Sequence, residues 1–449
     1  MSIAPAAHAV PPQDCSLPSR GITPLDDLAG RYWQGVEGGL YPGGTNACPE
    51  DHLQAGRKIA KSIVPLGVDG SPASDGIVGV AAIGFSFTHQ IFETLQELAA
   101  TDGELDPALR LIDATARGHD LEDLRDPAND YWLTLLPAQL ANAGVTAEQI
   151  QVVWVMEGAR FQPAPFPDHV DLFADDWTSL LNVLRLHLPN VQLAFLSPVH
   201  WQGYSWFAPY DEPFYFEQGF AVREVIARQL AGAPELAYDL PGGTAPAPWL
   251  AWGPYFWTDG EEPRSDGLAL DCADFLWEGS HLSASGRDKL SPRLLHFLKS
   301  HRACTPWSIV PGSSPAERMA EVELLGGASS GVRGEPRLCG SALPTVPYDG
   351  DYQLLARNAL PSGSGVVVLG EQLLPGDGIA IGAGFLRVVP AFLLPIHFGA
   401  KGNGALVMGE IPSDAALLDL CVYAQLAVFD SSAAGDVALS QALELRLGD

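Results

Sequence analysis

The sequence predicts two folds in tandem: a three-layer α/β/α domain on a parallel sheet, then a C-terminal antiparallel β-sandwich. Three observations predict this. Continuous apolar runs alternate with helix-period segments through the first two thirds of the chain. After Trp307 the apolar runs shorten, and Gly, Pro, Asn and Asp punctuate them at sandwich-like spacing. The length of 449 residues exceeds what one ordinary core holds.

Residues 1–29 read as a leader segment. The first fourteen are rich in Ala and Pro and lack an apolar stretch behind a basic start, as if a signal peptide had been removed. The α/β domain is expected over residues 30–308. Residues 76–84 (GIVGVAAIG) form an apolar run ending in glycine, the pattern of a strand buried on both faces. Residues 89–100 follow with Ile91, Phe92, Leu95 and Leu98 at helical spacing. Residues 109–116, 151–156 and 191–199 repeat the strand signal, and residues 168–188 between the last two suit an amphipathic helix. Residues 309–337 begin and end in turn formers and read as a linker holding at most one short helix. The β-sandwich is expected over residues 338–449, with strand-like runs at 365–370, 378–389, 391–398, 404–408 and 418–429.

Composition narrows the function classes. Against 25 basic residues stand 54 acidic ones, a formal charge of −29. That field repels polyanions, so nucleic acid is not an expected partner. No stretch approaches the roughly eighteen uninterrupted apolar residues of a membrane span. The six cysteines fit no zinc spacing, and Gly38-Gly39, Gly43-Gly44 and Gly242-Gly243 form no phosphate-binding loop. Asp271, Asp274, Glu261 and Glu262 are too scattered for a metal site, so neither metal nor cofactor is expected. An even cysteine count beside Gly/Pro-rich loops favours disulfides and an oxidising compartment. Pairing cannot be read from the sequence; the pairs expected are Cys15 with Cys48, Cys272 with Cys304 and Cys339 with Cys421, each of which would stay within one domain.

Two local features carry chemistry. The first is Ile83-Gly84-Phe85-Ser86, a serine just past a buried strand and just ahead of a helix. Ligands of open α/β sheets bind at such strand ends, and a helix N-terminus stabilises negative charge there. The plain alternative is a helix cap. The second is Glu278-Gly279-Ser280-His281, a carboxylate three residues before a histidine in a turn that opens the last helix of the α/β domain. One short loop can then present the imidazole while the acid holds Nδ1–H, leaving Nε2 to accept a proton. The alternative is a surface Glu/His pair beside a cap at Ser283.

Together the two turns resemble the two ends of the SGNH/GDSL hydrolase pattern, over roughly residues 30–305. The chain is also similar to a group of uncharacterised exported bacterial proteins at residues 39–46 (GLYPGGTN), 251–255 (AWGPY) and 264–268 (RSDGL). The tail after about Gly334 resembles the β domain that ends exported proteins of planctomycete type. The resemblance implies a flavodoxin-like SGNH domain and a secreted, periplasmic or surface-held serine esterase acting on a small ester or acylated carbohydrate. Ser86 would be nucleophile, His281 base and acid, and Glu278 its orienting partner. The oxyanion hole would use the N–H groups of Ser86 and Gly118. Departures are plain: Phe85 replaces the acid of the first block, and Phe87 stands where the close group has Asn. The third block reads Met156-Glu157-Gly158-Ala159-Arg160, without its asparagine. Ala159 is placed at that position, with Arg160 one step away. The hole then runs on two backbone donors, or Arg160 substitutes, or the site is weak.

Phe85, Phe87, His119, His200 and Trp201 are the expected substrate contacts, with Tyr204, Trp206 and Phe207 extending the cleft wall. His89, three residues after Ser86, reads as a solvated helix-start residue or as a support behind the site. Residues 249–257 form an aromatic run read as a Pro-rich loop. The rival readings are a glycan- or surface-binding protein on a decayed SGNH scaffold, and a surface protein dominated by its tail.

Overall fold

In the computed structural model, residues 13–206, 211–239, 245–310 and 320–448 are described. The chain divides into two compact units, one of Met1–Glu262 with Leu270–Ser313, the other of Pro263–Ala269 with Ser314–Asp449.

The first unit is a central parallel sheet flanked by helices. Its strands are β1 (Val78–Gly84), β2 (Leu109–Asp113), β3 (Ile150–Met156), β4 (Leu193–Ser197) and β5 (Trp249–Trp252), in the order β2-β1-β3-β4-β5. Every residue of β1, β3, β4 and β5 is buried, which is why these segments read as unbroken apolar runs. The helices that concern the site are α1 (Glu50–Ala60), α2 (Ser86–Ala99), α3 (Leu121–Leu124), α4 (Asp168–His187), α5 (Phe214–Leu230) and α6 (Ala284–Ser300). From β1 the chain steps outward to β2, then crosses back to β3 on the other side. That reversal opens a crevice at the carboxyl ends of β1 and β3, where Gly84 pairs with Met156.

The second unit is antiparallel. A five-stranded sheet has the order β12-β9-β14-β15-β6, and a three-stranded sheet the order β13-β8-β7. These strands are β6 (Glu321–Leu325), β7 (Arg337–Gly340), β8 (Tyr348–Arg357), β9 (Ser364–Gly370), β12 (Phe392–His397), β13 (Gly404–Ile411), β14 (Cys421–Phe429) and β15 (Val437–Arg446); the hairpin β10 (Ile379–Ile381) and β11 (Gly384–Leu386) lies between β9 and β12. Leu338, Leu354 and Ala356 from the smaller sheet share one core with Val367, Leu426 and Leu443 from the larger.

Four expectations need correction. The stretch read as a linker contains β6, an edge strand paired with β15 from Glu321↔Arg446 to Leu325↔Ala442. Its Val322, Leu324 and Leu325 find apolar neighbours only once β15 is in place, so local sequence does not announce it. The leader reading fails for its described part, residues 13–29. Ile22, Leu25 and Leu28 are buried, and the Asp259 carboxylate accepts the N–H groups of Arg20, Gly21 and Ile22. Residues 1–12 lie outside the described residues. The aromatic run expected in a loop supplies β5. Finally, Cys15 is bonded to Cys272, and Cys48, Cys304 and Cys421 are thiols, so none of the three expected pairs forms. The cause is a docked N-terminal segment: Gln13 N–H donates to Trp277 O, and Asp14 N–H to Tyr204 O.

Candidate active site

The site grows from two backbone constraints. Gly84 ends β1 with φ of 146°, and a Cβ there would lie 2.0 Å from Met156 O. Glycine alone lets β1 and β3 stay this close while the chain turns into α2. Phe85 is extended, and Ser86 is the first residue of α2. The second constraint is Gly279, with φ of 76° and a virtual Cβ 2.0 Å from Tyr204 O. It closes the turn in which Leu276 N–H donates to His281 O and Phe275 bridges to Leu282. Ser283 then caps α6, accepting from Gly286 N–H.

These two turns meet, although their sequence positions are 195 residues apart. Ser86 Oγ lies 2.8 Å from His281 Nε2. His281 Nδ1 lies 2.7 Å from Glu278 Oε1, which also accepts the His281 backbone N–H at 3.2 Å. A carboxylate can only accept, so Nδ1 carries the proton and Nε2 presents its lone pair to Ser86. Gln90 of α2, which sequence reasoning missed, joins the two turns. Its Nε2 donates to Leu282 O (3.0 Å), and its Oε1 accepts Leu282 N–H (2.9 Å).

The oxyanion candidates separate into two groups. Among the described residues, the N–H groups of Ser86 and Gly118 have no acceptor. The Ala159 N–H is committed to Gln218 Oε1 of α5 at 2.7 Å, and Gln218 Nε2 returns a bond to Ala159 O. Ala159 therefore has no donor to spare, which corrects its expected role. The Arg160 guanidinium lies on Asp120 Oδ2 (2.9 Å) and Asp123 Oδ2 (3.2 Å), tying the segment after β3 to the start of α3.

The expected substrate contacts lie mostly in the packing behind the imidazole. Phe85 and Phe87 are buried, and His200 and Trp201 fully so. The Phe87 ring sits 4.8 Å from His281 and 5.3 Å from His200, so it backs the imidazole where the resembling group has asparagine. Burial, with the neighbouring His281, lowers His200 to about 4; it is neutral when His281 works beside it. Trp201 packs on Tyr204 and Trp257. The aromatic bulk that suggested a cleft wall in sequence is core, because each ring finds apolar partners from distant segments. His119 is partly exposed, with Nδ1 3.9 Å from Asp123 Oδ2. Trp206 is exposed, and Phe207 lies outside the described residues. The exposed apolar side chains nearest in sequence to the histidine are Leu276 and Trp277 of its own turn.

His89 is not solvated but bonded on both ring nitrogens, to Asp113 Oδ2 (2.5 Å) and Arg117 Nη2 (2.6 Å). Glu157, at the end of β3, is buried; desolvation pushes its carboxyl well above the usual range and keeps it neutral. A cavity of about 790 Å³ starts at Arg160 and Phe161 and is lined further by Phe166, Phe214 and Glu217. Among the described residues no cluster of His, Cys, Asp and Glu could hold a metal ion, and no helix is long and apolar enough to cross a membrane.

A parallel sheet with a serine and a histidine hydrogen-bonded at its carboxyl edge defines an arrangement consistent with a hydrolase site. No protein-family profile and no curated protein matches the sequence. Solved structures similar to parts of it include two hydrolases. One is a proposed acylhydrolase from Bacteroides fragilis NCTC 9343, 12% identical, covering 55% of this chain and 93% of its own, with a TM-score of 0.29. The other is an acetyl xylan esterase variant from Geobacillus stearothermophilus, 14% identical, covering 48% of this chain and 92% of its own, with a TM-score of 0.25. Superpositions this loose transfer neither a fold nor a reaction.

Proposed function

We propose that the chain is a serine ester hydrolase of SGNH type with a flavodoxin-like catalytic domain, working through an acyl-enzyme with Ser86, His281 and Glu278. The observation that carries this reading is the continuous hydrogen-bonded line from Ser86 Oγ through His281 to Glu278. In it, His281 Nε2 takes the Ser86 proton as Oγ attacks the acyl carbonyl, while Glu278 holds Nδ1–H and stabilises the imidazolium. The N–H groups of Ser86 and Gly118 receive the oxyanion at the start of α2. Nε2–H then protonates the departing alcohol, and a water activated by the same nitrogen releases the acid. The Cys15–Cys272 bridge supports an extracellular, periplasmic or surface location. Leu276 and Trp277 suit packing against an acyl chain or sugar ring, and the cavity beside Arg160 offers room for the rest of a substrate such as an acylated carbohydrate.

A fluorophosphonate should label Ser86 in the wild-type protein. Ser86→Ala should abolish turnover of 4-nitrophenyl acetate, and Glu278→Gln should lower kcat by about a hundred- to ten-thousandfold with the far-UV circular dichroism unchanged. No labelling together with no turnover of any short ester sinks the proposal. The second reading, a glycan-binding protein on a decayed scaffold, is favoured by one observation: Ala159 and Arg160 are both engaged elsewhere, leaving the hole two donors. It requires glycan binding that survives Ser86→Ala in a protein with no esterase activity.

A further inference from the structure

We propose that Arg117 is an anion-binding residue at the rim of the Ser86 site, so that the preferred ester carries a carboxylate close to its scissile bond; this rests on the ester-hydrolase reading above. Arg117 directly precedes Gly118, and both are exposed. Its Nη2 donates to His89 Nε2 at 2.6 Å. A guanidinium has no acceptor, so Nε2 must carry the lone pair, and Nδ1–H is the donor to Asp113 Oδ2 at 2.5 Å. Asp113 is itself fixed, its other oxygen accepting the N–H and hydroxyl of Thr115. Arg117 is thus aimed by a neutral imidazole. It makes no ion pair among the described residues.

That choice of partner matters. Arg160, on the other loop of the site, spends its charge on Asp120 and Asp123, whereas Arg117 is oriented and keeps its charge for an incoming anion. Besides Asp113, Glu93 lies 4.0 Å from His89 Nε2, and it is paired with Arg287 at 3.5 Å. His89 follows Ser86 by one helical turn, and residues so spaced have Cβ atoms about 5–6 Å apart. The guanidinium is therefore bonded to a side chain that starts one helical turn from the nucleophile, and on this proposal it meets a group attached near the ester. In a chain of net charge −29, a carboxylate substrate needs a local cation to be held, and a neutral substrate does not. The planar fork of arginine suits a carboxylate. His89 and Asp113 are positioning residues for it.

Two matched ester pairs test this on the full chain. The anion sits on the acyl side in 4-nitrophenyl hydrogen glutarate against 4-nitrophenyl butyrate, and on the alcohol side in acetylated glucuronate against acetylated glucose. Wild-type protein should favour the acidic member of one pair, which identifies the side. Arg117→Gln should lower the acidic-to-neutral ratio of kcat/KM about ten- to a hundredfold, mostly through KM. Arg117→Lys should recover part of the loss, and His89→Gln should reduce the ratio less than Arg117→Gln. In parallel, glutarate and glucuronate binding to the Ser86→Ala protein is measured by calorimetry, without turnover. Loss of that binding in Arg117→Gln/Ser86→Ala supports the anion site even if no ester is cleaved, which would defeat only the hydrolase reading. An unchanged ratio in Arg117→Gln, or anion binding insensitive to that substitution, overturns the proposal.

Discussion

At the scale of single residues, buried acids show how environment assigns protonation. Glu217 of α5 is pushed up to about 7, chiefly by burial, though the Trp33 indole N–H opposes the shift. Its neighbour His169, with Nε2 3.7 Å away, is lowered by burial. Near neutrality the pair is thus an uncharged imidazole beside a carboxyl that is about half protonated. The sign of the stability effect follows. The unfolded chain releases the Glu217 proton from about pH 4.5, while the folded chain holds it until about pH 7. The stabilisation is complete below the first value and lost as pH rises through the second, on the order of 3 kcal/mol in all. Glu217→Gln should therefore match wild type in urea midpoint near pH 4.5 and exceed it above pH 7. A difference independent of pH would contradict the assignment. Among site residues, Ser86, His281 and Glu278 were legible in sequence because each belongs to a short turn whose spacing has a chemical meaning. Gln90 and Arg117 were not, because their partners, Leu282 and His89, are reached only through folding.

At the scale of elements, the site is a join between two helix starts. α2 presents Ser86 in its first turn, α6 follows the His281 turn, and the paired bonds of Gln90 with Leu282 hold one against the other. Ser291 Oγ of α6, bonded to Ile91 O, adds a second tie deeper in the core. Gln90→Ala leaves the Leu282 N–H and C=O without their side-chain partner, at a cost of about 1–3 kcal/mol. The expected result is a Tm a few degrees lower, with a larger relative loss in kcat than in 1/KM, since the Ser86–His281 distance loosens. A Tm loss with kcat intact would mean that the link serves stability alone. Strands β1 to β4 and helix α4 were readable from apolar period. β5 was not, because four aromatic and aliphatic residues in a Pro-rich stretch have no period of their own. β6 escaped for a similar reason: its partner strand, β15, is more than a hundred residues away.

At the scale of the whole molecule, one covalent link stands out. Cys15–Cys272 joins residues 257 apart and anchors the N-terminal segment beside the loop that leads to Glu278 and His281. Closing so long a loop constrains the unfolded chain, worth about 2–5 kcal/mol for a native bridge. The double variant Cys15→Ser/Cys272→Ser should unfold at lower temperature and lose activity when the segment detaches. An unchanged Tm would show that the hydrogen bonds of Gln13 and Asp14 suffice to hold the segment.

The sequence alone determined the alternation of strand and helix, the change to β-type runs after Trp307, and the two turns that hold Ser86 and Glu278/His281. Each of these is a local pattern, written in periodicity or in the spacing of a few residues. Only the tertiary structure decided that the two turns meet, that Cys15 bonds Cys272, that Ala159 is occupied by Gln218, that Phe87 and His200 pack behind the imidazole, and that Trp201 is core. Those outcomes depend on contacts between segments tens to hundreds of residues apart, whose free energy belongs to the packed molecule and to no stretch of the chain.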